Sequence, residues 1–495
     1  MRPIRTFVLL VCLPLCACAD GGRTLVLLHT NDMHAAFLPR EAAWSRENPK
    51  PMVGGFNELA FAVDSIRQRH PGALLLDAGD FMTGNPIADM VHDGAYGGAL
   101  IAMMNRIGYD AASPGNHDLD ISQENLRALV GLARFPFLCA NMAGANGLFP
   151  ENGREYVILE REGVRIGLFG LMSQDLYGLV NQNNLKGIRV LSPDETARRL
   201  VAELDPQTDL VVALTHQGAR EDSILAAAVP GLDVIVGGHS HTRITAPRAV
   251  HGALIVQTGS SAENLGVLEL TVQDDRVAGH RGGLIPLWAR TGRTTRLTPM
   301  IDSLRAEVDS AYAEVIAVLS EDWKRGEGET GIGNFILDAM TEAAGAEIGF
   351  TNSHGIRRDV PAGPLTRRTL YEVMPFRNTL VTFQLSGSRL RAVVEHYLAR
   401  RPAIQMSGIT CTWRRRPGGG PEILSLEVNG SPLDTLRGYT CATSDFFVSQ
   451  ARDYLGTEIE QAVYLRPTVF EVLENAARRA GTISNRMRNW LRQAP

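Results

Sequence analysis

The sequence predicts an α/β protein made of a layered-sheet domain, a connecting helix and a smaller α+β domain. Three observations predict it. The chain has 495 residues, more than a single hydrophobic core usually serves, so two domains are expected. Between residue 24 and about residue 290, short apolar runs alternate with helical stretches. Beyond residue 297 the pattern changes, first to a helical period and then to a mixture of helices and strands.

The N-terminus places Arg2 and Arg5 before the apolar stretch Phe7–Leu13, followed by Leu15-Cys16-Ala17-Cys18. This order of charged, apolar and small residues reads as an export signal, too short to remain as a membrane-spanning helix. Leu-Cys-Ala-Cys resembles a bacterial lipobox. Residues 1–17 would then be a lipoprotein signal peptide and Cys18 the lipidated N-terminus, with an ordinary signal peptide as the alternative. Location in the bacterial periplasm or cell envelope follows, with membrane contact through the lipid anchor only.

The apolar runs Leu25–Leu28, Ala73–Leu76, Val164–Phe169, Leu210–Leu214 and Val234–Val236 lack polar alternation. Such runs suit strands covered on both faces. A formal charge of −5 argues against binding nucleic-acid polymers, which requires a basic surface to displace counterions. Cys139 reads as a buried thiol, whereas Cys411 and Cys441 could pair or stay free.

At 297–320 the residues Met300, Leu304, Val308, Tyr312, Ile316 and Leu319 recur at helical spacing, predicting an amphipathic linker helix. The second domain, 321–495, contains a helix opening near Gly331, a strand over Leu380–Leu385 and a hairpin turn over Arg414–Pro421.

Candidate chemistry concentrates where the runs end: Asn31-Asp32-Met33-His34, Asp77-Ala78-Gly79-Asp80, Gly115-Asn116-His117-Asp118, Thr215-His216-Gln217 and Gly237-Gly238-His239-Ser240-His241. A lone Asp or His at a strand end is ordinarily a cap or turn residue. A parallel sheet, however, would gather these segments at one edge, where α/β proteins form their sites. The spacing Asp32-x-His34 and His239-x-His241 would turn both members toward one pocket if the chain is extended, with the glycines lending backbone freedom. Seven mixed carboxylate, imidazole and amide ligands exceed the need of one ion and suit two.

In these motifs, taken in order as "NDMHA", "LDAGD", "GNHDLD", "LTHQG" and "GGHSHT", the chain resembles the calcineurin-like metallophosphoesterases, and within them the two-domain bacterial 5′-nucleotidase and UDP-sugar hydrolase family. The resemblance implies that residues 18–296 form a layered metallophosphoesterase β-sandwich flanked by helices. Residues 321–495 would form the C-terminal 5′-nucleotidase substrate-binding domain. It also implies two divalent metals, drawn from Zn, Mn, Fe or Co. One would be held by Asp32, His34, Asp80 and His241, the other by Asp80, Asn116, His216 and His239, with Asp80 bridging. His117 and Asp120 match the family's catalytic pair, and Asp118 between them reads as structural.

In the second domain "TNSHGIR" matches the family's Asn-x-x-Gly-Ile-Arg loop, which implies substrate contacts from Asn352, Gly355 and Arg357. "MPFRNTL" and "SDFFVSQARDY" match its two aromatic segments. Phe376 and Phe447 would then clamp a nucleobase, with Asn378 and Asp453 adding polar contacts. Two departures stand out: Ala451-Arg452-Asp453-Tyr454 replaces Gly-Gly-Asp-Gly, and Gly328 stands where relatives carry an Arg, with Arg325 nearby. The implied activity is release of phosphate from nucleoside 5′-monophosphates, extending to nucleoside diphosphate derivatives. The alternatives are another substrate on the same metals (a cyclic nucleotide, a sugar phosphate or a sulfur-linked compound) and a noncatalytic lipoprotein that binds metal or nucleosides.

Overall fold

The computed structural model of the chain describes residues 22–494 apart from residues 43, 146, 417 and 418. The export segment and Cys18 lie outside the described residues. Arg23–Thr30 forms the centre of a five-stranded sheet, parallel to Leu74–Asp77 and antiparallel to Asn264–Gln273. A six-stranded sheet carries Val164–Met172, Leu210–His216, Val234–Gly237 and Ala253–Val256 side by side and parallel.

The absence of polar alternation in the apolar runs has its cause here. Leu25 and Leu27 point between the two sheets, against Ile166, Val212 and Val236, while Val26 and Leu28 point outward beneath the helices Phe56–Arg67 and Gly98–Ile107. On the second sheet the outer face is covered by Pro193–Leu204 and Ala219–Ala228. The result is a sandwich of two sheets between helical layers. Both faces of each central strand are dry, so both must be apolar.

The connecting helix is shorter than its apolar spacing predicts. It runs over Thr298–Tyr312, and Val315–Leu319 is a strand paired with Gly363–Thr366. Ile316 and Leu319 are therefore strand residues buried in the second domain, whereas Ile301, Leu304 and Val308 lie in the core of the first. The β-branched series Val315, Ile316 and Val318 favours the extended chain. Tyr312 packs against both cores, so the boundary falls immediately after it.

The second domain places the helices Gly331–Ala344, Gly387–Arg400 and Val469–Ala480 around a five-stranded sheet that includes Ile348–Asn352, Thr379–Ser386 and Gly438–Ser444. Ile409–Arg415 and Pro421–Val428 pair antiparallel as the two arms of a hairpin. Cys139, Cys411 and Cys441 are free and buried. No helix among the described residues is long and apolar enough to cross a membrane.

Candidate active site

The strands Arg23–Thr30, Leu74–Asp77, Leu210–His216 and Val234–Gly237 deliver their polar ends to one edge of the sandwich. Asp32, Asp80 and His216 are buried there, and Asp32 also groups with His34 and His241. His216 Nε2 lies 3.2 Å from Asp80 Oδ2 and 3.9 Å from Asp32 Oδ1. His34 Nε2 is 4.0 Å from the same Asp80 oxygen, which places this carboxylate between the two imidazoles. His239 Nδ1 is 3.1 Å from Asn116 Oδ1.

The backbone reason for these positions differs from the extended geometry expected of the i, i+2 pairs. Asp32, His34, Asp80, His239 and His241 all adopt positive φ, between 48° and 76°. Left-handed turns therefore aim the side chains inward, at a conformational cost tolerated where the surroundings hold it. Gly237 and Gly238 are not among the positive-φ glycines; their role is to leave space. A Cβ on Gly237 would stand 2.2 Å from Asp222 Oδ2, and one on Gly238 would stand 2.6 Å from the Ala78 carbonyl oxygen and 2.8 Å from His216 Nδ1.

His117 opens a short turn, and its Nδ1 lies 2.7 Å from Asp120 Oδ2. Its backbone N–H donates to Asp80 Oδ1 at 2.7 Å, locking the ring beside the carboxylates. Burial opposes its protonation, but Asp120 and Asp80 outweigh burial and hold the imidazole above its usual pKa. Asp118 is structural, as its position between the pair suggests: it accepts the backbone N–H groups of Asp80, Met82 and Gly115.

The second domain closes over this edge. The ring of Phe376 stacks on that of His117 with centroids 5.8 Å apart. Arg357 lies within electrostatic reach of Asp80, Asp120 and Asp32, while burial lowers its pKa. Gly355 ends the turn that leads to Arg357 and packs on Asn352, whose Oδ1 would be 2.9 Å from an added Cβ. Arg325 donates to the Arg357 carbonyl oxygen at 3.1 Å, so it supports this loop from outside. The Asn378 carbonyl oxygen accepts from Val469 N.

One expectation for the base contacts needs correction. Phe447 is fully buried, with Phe350 on one side at 6.1 Å and Tyr454 stacked on it at 4.9 Å. No ring face of Phe447 is left for a base, so the expected clamp with Phe376 is not formed. Residues Ala451–Leu455 form a short helix that exposes Asp453 and turns Tyr454 inward onto Phe447.

Residues 25–243 match the calcineurin-like phosphoesterase model, and residues 312–456 match that of the 5′-nucleotidase C-terminal domain. The chain belongs to the two-domain 5′-nucleotidase type of calcineurin-like phosphoesterase. It is 26% identical to the trifunctional nucleotide phosphoesterase protein YfkN of Bacillus subtilis, over 86% of this chain but 32% of that longer protein. It is likewise 26% identical to protein UshA of Yersinia enterocolitica, over 86% of each. The crystal structure of a 5′-nucleotidase precursor from Thermus thermophilus superposes with a TM-score of 0.82 at 27% identity, covering 95% of this chain and 100% of that one.

Calcineurin-like phosphoesterases use two divalent metals, and the donors here fit them. His216 donates from Nδ1 to the Ala78 carbonyl at 2.7 Å, which turns its buried Nε2, without a hydrogen-bond partner, toward the carboxylates at a place where a cation could take over from a proton. His34 likewise commits Nδ1 to the Thr83 carbonyl, and its Nε2 faces His241 Nε2 at 2.9 Å. Burial first, then neighbouring positive charge, keeps His34 well below its usual pKa and pushes His241 down to about 3. The neutral imidazoles of His34 and His241 are suited to coordinating a cation.

The carboxylates require positive charge between them. Burial first, helped by the neighbouring Asp80 charge and opposed by His216, pushes Asp32 up to about 7, while Asp80 and Asp32 overcome burial at His216 and hold it up at about 10. The phosphoesterase domain thus presents an acidic, nearly dry site.

One residue of this site carried no signal in the sequence. Thr83 accepts from His34 through its carbonyl at 3.0 Å and donates from Oγ1 to Asp120 Oδ2 at 2.8 Å. Only its place three residues after Asp80 could have drawn attention to it.

Proposed function

We propose that the protein is an exported phosphohydrolase, lipid-anchored through Cys18 in the periplasm or cell envelope, that releases phosphate from nucleoside 5′-monophosphates. The observation carrying this reading is the Phe376 ring stacked on His117, because it joins the nucleotidase domain to the catalytic edge of the phosphoesterase domain. YfkN is named a nucleotide phosphoesterase and the Thermus protein a 5′-nucleotidase precursor, which supports both substrate class and export.

In this reading Asp32, His34, Asp80 and His241 hold one metal and Asp80, Asn116, His216 and His239 the other. The bound ions would acidify the attacking water and neutralise phosphate charge. Asp120 orients His117 through Nδ1, so Nε2 can give its proton to the departing 5′ oxygen as the P–O bond breaks. Arg357 adds a guanidinium to the phosphate side of the cleft. Asn352, Gly355, Phe376, Asn378 and Asp453 belong to the substrate side, and cleavage of nucleoside diphosphate derivatives would use the same edge.

A second reading keeps the metals and changes the leaving group. The cover of Tyr454 on Phe447 favours a phosphate ester without a base at that position, such as a sugar phosphate. A panel of AMP, UMP, UDP-glucose, cyclic AMP and ribose 5-phosphate, assayed with Mn²⁺ or Zn²⁺, separates the two. Turnover of AMP no faster than of ribose 5-phosphate refutes the nucleotidase reading.

A further inference from the structure

Thr83 holds a backbone conformation that threonine ordinarily avoids. Its φ is 56°, in the left-handed region where a β-branched side chain is strained and glycine is favoured. Asn and Asp tolerate that region better than threonine, yet a threonine is buried here, 6% exposed. Two polar groups give a reason for keeping it. Its carbonyl oxygen takes the His34 Nδ1 proton at 3.0 Å, and its hydroxyl donates to Asp120 Oδ2 at 2.8 Å.

The same Asp120 oxygen lies 2.7 Å from His117 Nδ1. The hydroxyl therefore fixes the carboxylate at the oxygen that orients the ring. We propose that Thr83 is a positioning residue for the leaving-group proton, setting the Asp120–His117 pair in register with the imidazole of His34. The inference rests on His117 acting as the proton donor.

The chemistry makes the consequence specific. When the P–O bond to the leaving oxygen breaks, an alkyl oxygen must take a proton and p-nitrophenolate need not. Loss of Thr83 should therefore slow alkyl phosphates more than p-nitrophenyl phosphate. Binding of either should change little, because Thr83 acts on the ring and not on the phosphate.

The test uses the full chain carrying Thr83→Gly, Thr83→Val and Thr83→Ser. Glycine relieves the strained φ and removes the hydroxyl, valine keeps the shape without the hydroxyl, and serine restores it. The Gly and Val variants should lose roughly tenfold or more in kcat on AMP, a part of the gain that general acid catalysis supplies. KM and metal content should stay within about twofold of the wild type, the loss on p-nitrophenyl phosphate should be smaller, and the Ser variant should regain most of the rate. For Thr83→Gly the melting temperature should stay within about 3 °C of the wild type, since relief of strain offsets the lost contacts.

Unchanged kcat in the Gly variant overturns the proposal. So does a loss that parallels metal content or melting temperature, or one that is equal for both leaving groups. His117→Ala measured alongside isolates the underlying reading: if that variant keeps full activity, the proton-donor role itself fails.

Discussion

Tyr454 lies flat on Phe447, ring centroids 4.9 Å apart and planes 29° apart. A side chain of this chain thus occupies the ring face that the base clamp expected from the resemblance would need. Replacing Tyr454 by Ala is expected to uncover Phe447 and lower KM for AMP by about tenfold, the scale of one base–aromatic stack. The kcat/KM for ribose 5-phosphate should not change. A rise in KM for AMP would instead make Tyr454 itself the stacking surface.

His117→Ala is expected to lower kcat on AMP by roughly a hundredfold or more. His117 is not among the metal donors, so elemental analysis should find the same metal content as in the wild type. Loss of metal along with rate would reassign the residue to the coordination sphere.

His241 is the most exposed of the imidazoles at the acidic edge, with 36% of its side chain accessible. Its Nε2 stands opposite that of His34. Gln in its place keeps an amide donor at greater reach and should weaken one metal position only. Titration with Mn²⁺ and Zn²⁺ is expected to show one site weakened several-fold and the other unchanged. Identical occupancy at both sites counts against a role in coordination.

Gly238→Ala pushes a methyl group against the Ala78 carbonyl and the His216 ring. Overpacking of this kind costs about 1–3 kcal/mol, and here it also displaces a proposed ligand. The expected outcome is a lower melting temperature together with reduced metal content. A variant of normal stability and content would show that the loop yields freely.

Asp233 lies at the start of the strand Val234–Gly237, at its end away from the site, and accepts the Val211 N–H at 2.8 Å. Burial raises its carboxyl to about 6, so the folded protein binds this proton more tightly than the unfolded chain. Its contribution to stability is fully present below about pH 4 and lost as pH rises through about 6. Asp233→Asn keeps an oxygen for Val211. Melting curves between pH 4 and pH 7 should be flatter for that variant, and an unchanged slope would assign the pH dependence elsewhere.

The strands and the polar segments behind them were legible because runs such as Val234–Val236 must be apolar on both faces, and the ligand-bearing segments interrupt them abruptly. Local spacing was less informative where two periods coincide. Ile316 and Leu319 fit a helix begun at Met300, yet tertiary pairing with Gly363–Thr366 made them a strand. The glycines at 237 and 238 were legible as necessary but not for the right reason, because the space they leave is defined by Asp222, Ala78 and His216, remote in sequence. The cover of Tyr454 over Phe447 and the double attachment of Thr83 depend on packing that no motif encodes.

The helix Thr298–Tyr312 is anchored in the first core and the strand Val315–Leu319 belongs to the second body. The covalent pivot between the two bodies is thereby reduced to Ala313 and Glu314. Across the cleft, Asn181 holds Asp445, Gln182 holds the Ser449 carbonyl, and Gln450 holds the Tyr177 carbonyl. These are polar contacts that water can replace one for one. The molecule is therefore jointed like a clasp, with a hinge two residues long on one side and a catch of amide groups on the other.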